Sequence, residues 1–254
     1  MFFDLGPPPI AFPKPAIIRP ATKDLLRYGG NPVAQALMAH RMRRAAGAAG
    51  SAALTTLTFV NSAVSNAATI TIPADAAAGD LAVLFDYSTH GGATITDVTP
   101  TNWSSDPSMM GTQTGGRIRV SYKILVGGDP GSSVTGLNDT NYNKVMFIFR
   151  GDVAITSVTI GSWHATVTGT DPVSQSVTAS GQATPLVVLG GTGSEGNTAA
   201  FTTASPAFDA TVATADNNLL GGYKIYNSSP ADHTVDSGDL TTNDGLCSGY
   251  LIAS

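Results

Sequence analysis

Residues Arg117 to Val126 read Arg-Ile-Arg-Val-Ser-Tyr-Lys-Ile-Leu-Val. Ile118, Val120, Tyr122 and Ile124 alternate with Arg117, Arg119, Ser121 and Lys123. A period of two places each set on its own face of a strand, one face for a core and the other for water. A second run, Lys144 to Arg150 (Lys-Val-Met-Phe-Ile-Phe-Arg), is apolar on both faces, as suits a strand in the middle of a packed sheet.

Outward from these two runs, the pattern predicts strands near 56–60, 68–72, 80–87, 94–98, 132–135, 155–160, 173–179, 186–189, 210–214, 219–226, 233–236 and 247–252. Gly-Gly, Asp-Pro-Gly, Asn-Asp and Ser-Pro turn signals separate them. Charged residues are only 12% of the 254, and Gly, Thr, Ser and Ala take their place, a mix that favours short strands over helices. The expectation for residues 53–254 is an all-β fold, a two-sheet antiparallel sandwich of jelly-roll-like type. No repeat of 20 to 50 residues suggests a propeller or solenoid.

Residues 1–52 differ in kind and are expected to form a docking arm with a short helix. Pro7, Pro8, Pro9, Pro13, Pro15 and Pro20 stand among Phe2, Phe3, Leu5, Ile10, Phe12, Ile17 and Ile18, with Arg19 close behind. Proline fixes φ and removes donors, so an extended segment is expected whose apolar side chains seek a groove on another molecule. Asn31-Pro32 then looks like a helix start, and Val33, Ala36, Leu37, His40, Arg41 and Arg44 recur at helical spacing up to about Ala46. Met42-Arg-Arg and the small residues after it imitate a secretory signal, but they begin well inside the chain and are interrupted by Gly, Thr and Asn.

Charge divides along the same line. Of 13 basic and 18 acidic side chains, seven and two fall in residues 1–50, leaving six and sixteen for the rest. The first part is thus +5 and the second −10, which suggests different partners for the two parts, or else a tail that is basic for solubility. Arg41, Arg43 and Arg44 lack interleaved aromatics, and so acidic a body would repel a polyanion, so nucleic acid is not an expected partner. No run of about 18 apolar residues is present, and no membrane span is expected.

Four constellations invite a chemical reading. Gly191-Thr-Gly193-Ser-Glu-Gly196 imitates a dinucleotide fingerprint, but a Thr-rich stretch ending at Pro206 follows where a helix would be required, so a flexible inter-strand loop is expected. Asp232, Asp236, Asp239, Asn243 and Asp244 are oxygen ligands without an EF-hand order, and turns select the same residues. His40, His90, His164 and His233 are scattered, the lone Cys247 suits a buried hydrophobe, and Glu195 is the only glutamate, so no cofactor, metal or catalytic set is expected. Tyr87, His90 and Trp103 are candidates for a sugar-stacking platform on loops at one end of the sandwich, the other reading being that Trp103 plugs the core.

Taken in order, Thr58-Phe-Val-Asn-Ser, Ile70-Thr-Ile-Pro-Ala-Asp-Ala-Ala-Ala-Gly-Asp-Leu-Ala-Val-Leu-Phe85, Pro100-Thr-Asn-Trp103, Arg117 to Leu125 and Lys144 to Gly151 resemble a β-sandwich module of tailed-bacteriophage virion proteins. The resemblance covers most of residues 55–254. It implies an accessory structural component located in the virion, a head-decoration, fibre or tail protein with no enzymatic activity. Its partners would be other virion proteins of capsid, portal, collar or tail, and it would be a homo-oligomer, often a trimer among such fibres. Extensions like residues 1–52 commonly dock such appendages on the particle. A carbohydrate- or host-receptor-binding tail module is the alternative.

Overall fold

The computed structural model describes residues 52–89, 99–113, 116–137, 142–168, 174–194, 198–238 and 244–254. Residues 1–51, with the arm and the expected helix, lie outside them, as do His90, the strand expected at 94–98, Asp239 and Asn243.

Two antiparallel sheets enclose the main core, as the alternation predicts. The first contains β1 (Leu57–Ser65), β3 (Leu81–Thr89), β4 (Met110–Gln113), β5 (Gly116–Ile124) and β7 (Tyr142–Gly151), ordered β1-β7-β3-β5-β4. The second contains β8 (Val158–Ile160), β9 (His164–Thr168), β11 (Leu186–Gly193), β13 (Ala210–Ala213), β14 (Leu219–Tyr226) and β16 (Asp244–Ala253). Its order is β13-β14-β11-β16-β8, with β9 also paired to β16. The doubly apolar β7 lies between β1 and β3, with Val145 to Phe149 fully buried.

The inner faces differ in texture. The first sheet presents Phe85, Tyr87, Ile118, Phe147 and Phe149, whereas the second presents Gly191, Gly193, Gly221 and Gly245 opposite them. A Cβ at Gly191 would overlap the Phe85 ring and one at Gly193 the Tyr87 ring; at Gly221 it would lie 2.9 Å from Phe147 and at Gly245 2.9 Å from Ile118. Large rings therefore seat in slots made by missing side chains, which lets two sheets carrying such bulky residues close-pack. This overturns the expected loop at Gly191–Gly196 as far as Gly193, since every residue of β11 is buried.

Both outer faces are covered as well. A three-stranded sheet of β10 (Ser174–Val177), β12 (Phe201–Ser205) and β15 (His233–Ser237), ordered β10-β15-β12, lies on the second sheet. Val177 packs there against Leu186, Val188 and Tyr250, while Gln175 donates to the Leu246 carbonyl (3.0 Å) and accepts from the Ser248 hydroxyl (2.8 Å). On the first sheet, β2 (Ile70–Thr71) and β6 (Ser133–Val134) pair and cover Leu84, Met146 and Ile148 together with Trp103. The expected sandwich therefore carries an additional small layer on each outer side.

Burial corrects the reading of the polar face of β5. Arg117 is fully buried, and Arg119 and Ser121 nearly so. In register Asp86 stands between Arg119 on β5 and Lys144 on β7, which brings a carboxylate into the centre of three buried cations. Arg117 reaches Asp86 at 3.2 Å and Lys144 approaches it at 3.6 Å, while Arg119 donates to the Thr99 hydroxyl. Burial pushes Arg117, Arg119 and Lys144 below their ordinary pKa values, and Asp86 draws each back up.

The chain enters this body at a fixed point. Asp152, just past β7, accepts from the backbone N–H groups of Thr55 (3.0 Å) and Thr56 (3.2 Å), and with the Thr55 hydroxyl these bonds hold its carboxyl at about 2. At the edge strand β1, the Asn227 side chain accepts from Leu57 N–H (2.7 Å) and donates to its carbonyl (3.1 Å), supplying the pairing that a further strand would offer.

Candidate ligand groove

The two sheets do not close along their whole length. β4 pairs only with Gly116 to Arg119 of β5, and the next contact along that edge is Ser104, whose N–H and carbonyl each bond Tyr122 at 2.8 Å. Beyond it, between the end of β5 and the start of β8, a groove of about 510 Å³ is lined by Asn102, Ser104, Tyr122, Lys123, Ile124, Val126 and Val158. That volume is within the range of small-molecule sites, about 300–1,000 Å³.

Its chemistry follows from strand parity and a turn. Tyr122 and Ile124 belong to the inner-face set of β5, so at the sheet's edge they supply an apolar floor that Val158 continues. Val126, just past β5, is 59% exposed. Asn102 has φ 64°, a left-handed conformation that Asn tolerates better than most residues, within the turn Pro100 to Trp103 closed by the Trp103 N–H to Pro100 carbonyl bond. The Lys123 ammonium donates to Asp129 at 2.6 Å, and the other oxygen of that carboxylate accepts from Val126 N–H at 2.7 Å. These bonds outweigh burial and hold the Asp129 carboxyl below its usual range.

The expected platform residues part company. Tyr87 is buried between the two main sheets, while Trp103 packs with Ile70, Leu84 and Ile148 on the opposite side of the first sheet. Adjacent strand positions point to opposite faces, and Tyr87 shares its face with Phe85, whereas Trp103 covers the face of Leu84, so the two rings cannot stack on one ligand. Trp103 thus takes the core-plug role. The groove lies next to the Trp103 loop, but Tyr122, which sequence reasoning placed in the core, is its aromatic residue.

The remaining constellations have structural roles. Asp232 accepts from Ser180 N–H at 2.8 Å, Asp236 sits within β15, and among the described residues no group of three or more His, Cys, Asp or Glu side chains could hold a metal. His233 is buried beneath Phe208 and shares a 2.7 Å hydrogen bond with the Tyr226 hydroxyl; burial, with a smaller push from Lys224, lowers its pKa to about 4. Cys247 is buried and its pKa is raised by that burial.

Each of the body's six cations has a carboxylate neighbour: Lys123 and Asp129, Arg150 and Asp80, Lys224 and Asp209, and the three around Asp86. Asp75, Asp152, Asp209, Asp216 and Asp232 are exposed, so the outer surface is acidic. Compared with family models, with curated proteins and with solved structures, the chain matches none.

Proposed function

We propose that the chain is a structural component of a bacteriophage virion, attached to the particle through residues 1–52 and presenting the β-sandwich at the surface as a decoration or fibre protein. The observation that carries this reading is the division of the chain into a cationic, proline-rich, apolar segment and an acidic β-body whose cations each have one of its own carboxylates as a neighbour. An extended apolar segment of some 20 residues buries on the order of 1,000 Å² against a protein surface, enough for stable attachment. The motif order that resembles phage virion modules supports the same reading, and its residues hold the sandwich together. Trp103 of Pro-x-x-Trp fills the outer core, and Asp80 of Ala-Gly-Asp-Leu pairs with Arg150 of Phe-Arg-Gly.

On this reading the partners are other virion proteins, the location is the particle, and copies assemble on its symmetry. The test is quantitative mass spectrometry of density-purified particles with antibody labelling of intact ones. A fixed stoichiometry and surface labelling are expected; absence of the chain from purified particles would end the proposal.

A further inference from the structure

The groove between β5 and β8 has no part in the attachment just proposed, and its chemistry is specific. Three of the lining residues carry side-chain hydrogen-bonding groups that make no bond within the described residues: the Asn102 amide, the Ser104 hydroxyl and the Tyr122 phenol. The floor between them is apolar, made by Ile124, Val126 and Val158. The one cation at the site, Lys123, is joined to Asp129 at 2.6 Å, so the site offers no net charge.

We propose that this groove binds a neutral carbohydrate. A sugar ring has an apolar face of C–H groups and an equatorial rim of hydroxyls. The groove offers the complement, an aromatic residue and aliphatic floor with neutral donors and acceptors around it. Acidic sugars fit less well, because the Lys123 ammonium is already matched and the exposed carboxylates of the body repel anions. The backbone that carries the site is preformed. Ser104 is fastened to Tyr122 by two backbone bonds, and Asp129 fixes Lys123 and Val126 N–H together, so little ordering accompanies binding. The inference concerns the β-body alone and stands or falls separately from particle attachment.

The test uses the full chain on an array of neutral hexose and N-acetylhexosamine oligosaccharides beside sialylated and uronic-acid glycans, with calorimetry on the best neutral ligand. Val126→Trp fills the groove from an exposed position and Asn102→Gly removes the amide while keeping the left-handed backbone; each is expected to weaken binding at least tenfold with unchanged melting. Tyr122→Ala is expected to abolish it, and Tyr122→Phe to weaken it while keeping the ring. Absence of glycan binding at millimolar concentration, preference for anionic glycans, indifference to Val126→Trp and Asn102→Gly, or binding of extended peptides in place of sugars would each overturn the proposal.

Discussion

Arg150 forks onto Asp80: its Nε donates to one carboxylate oxygen at 2.9 Å and an Nη to the other at 2.7 Å, joining the end of β7 to the turn that launches β3. The same carboxylate accepts from Ala77 N–H at 2.8 Å, and Gly79, at φ 87°, turns the chain where a Cβ would lie 2.8 Å from that of Ala154. Two sequence motifs 70 residues apart are thus one structural unit. Asp80→Ala removes the acceptor of the turn and leaves Arg150 without its carboxylate. Chemical denaturation should show a loss of about 2–3 kcal/mol, with Arg150→Lys, which keeps charge but not the fork, losing about 1.

The glycine slots give a sharper contrast. Gly193→Ala and Gly191→Ala drive a methyl group into the Tyr87 and Phe85 rings, whereas Gly127 and Gly128, in the turn after β5, have open space at the same position. The first pair should cost about 2–4 kcal/mol or prevent folding, while the second should stay within about 0.5 kcal/mol of the parent. Equal melting temperatures for the two pairs would contradict the packing described.

His233 makes the third layer sensitive to acid. Its folded pKa of about 4 is below the ordinary 6.5, so between those values the unfolded chain binds a proton that the folded chain refuses. Stability from this group is complete above about pH 6.5 and declines as pH falls toward 4, by at most roughly 3 kcal/mol. His233→Gln should flatten that part of the stability curve. An unchanged slope between pH 6.5 and 4 would show that the ring is not held neutral beneath Phe208.

Cys247 is fully buried between the sheets, and burial raises its pKa, so the thiolate is scarce. Thiol reagents at neutral pH should modify it only at the rate of global unfolding. Rapid labelling of the native protein would mean that β16 opens locally.

Much of the sandwich was legible because β3, β5 and β7 carry a clean period of two or a continuous apolar run, and neither pattern has a helical reading of similar quality. The same alternation misplaced Arg117 and Arg119, since it separates two faces without saying whether water or chain covers the polar one. Their partner Asp86 lies about 30 residues away and became visible only through strand register. β4, β9 and β12 have no legible pattern because they are short and rich in Thr, Gly or Ala. Gly111 of β4 looks like a turn residue, yet a Cβ there would sit 2.8 Å from the Thr166 backbone of β9, so it serves close approach. The groove was not legible at all, because it lies between β5 and β8, which are distant in sequence, and periodicity assigns Tyr122 simply to the core.

If residues 1–52 attach an independently folded β-body to a particle, co-sedimentation of the fragment 52–254 with particles that lack the chain, beside the full-length protein, reads that attachment out. The fragment is expected to melt cooperatively with a β-type circular dichroism spectrum yet stay in the supernatant, while the full chain sediments at fixed stoichiometry. A folded fragment that sediments as well as the full chain would contradict it.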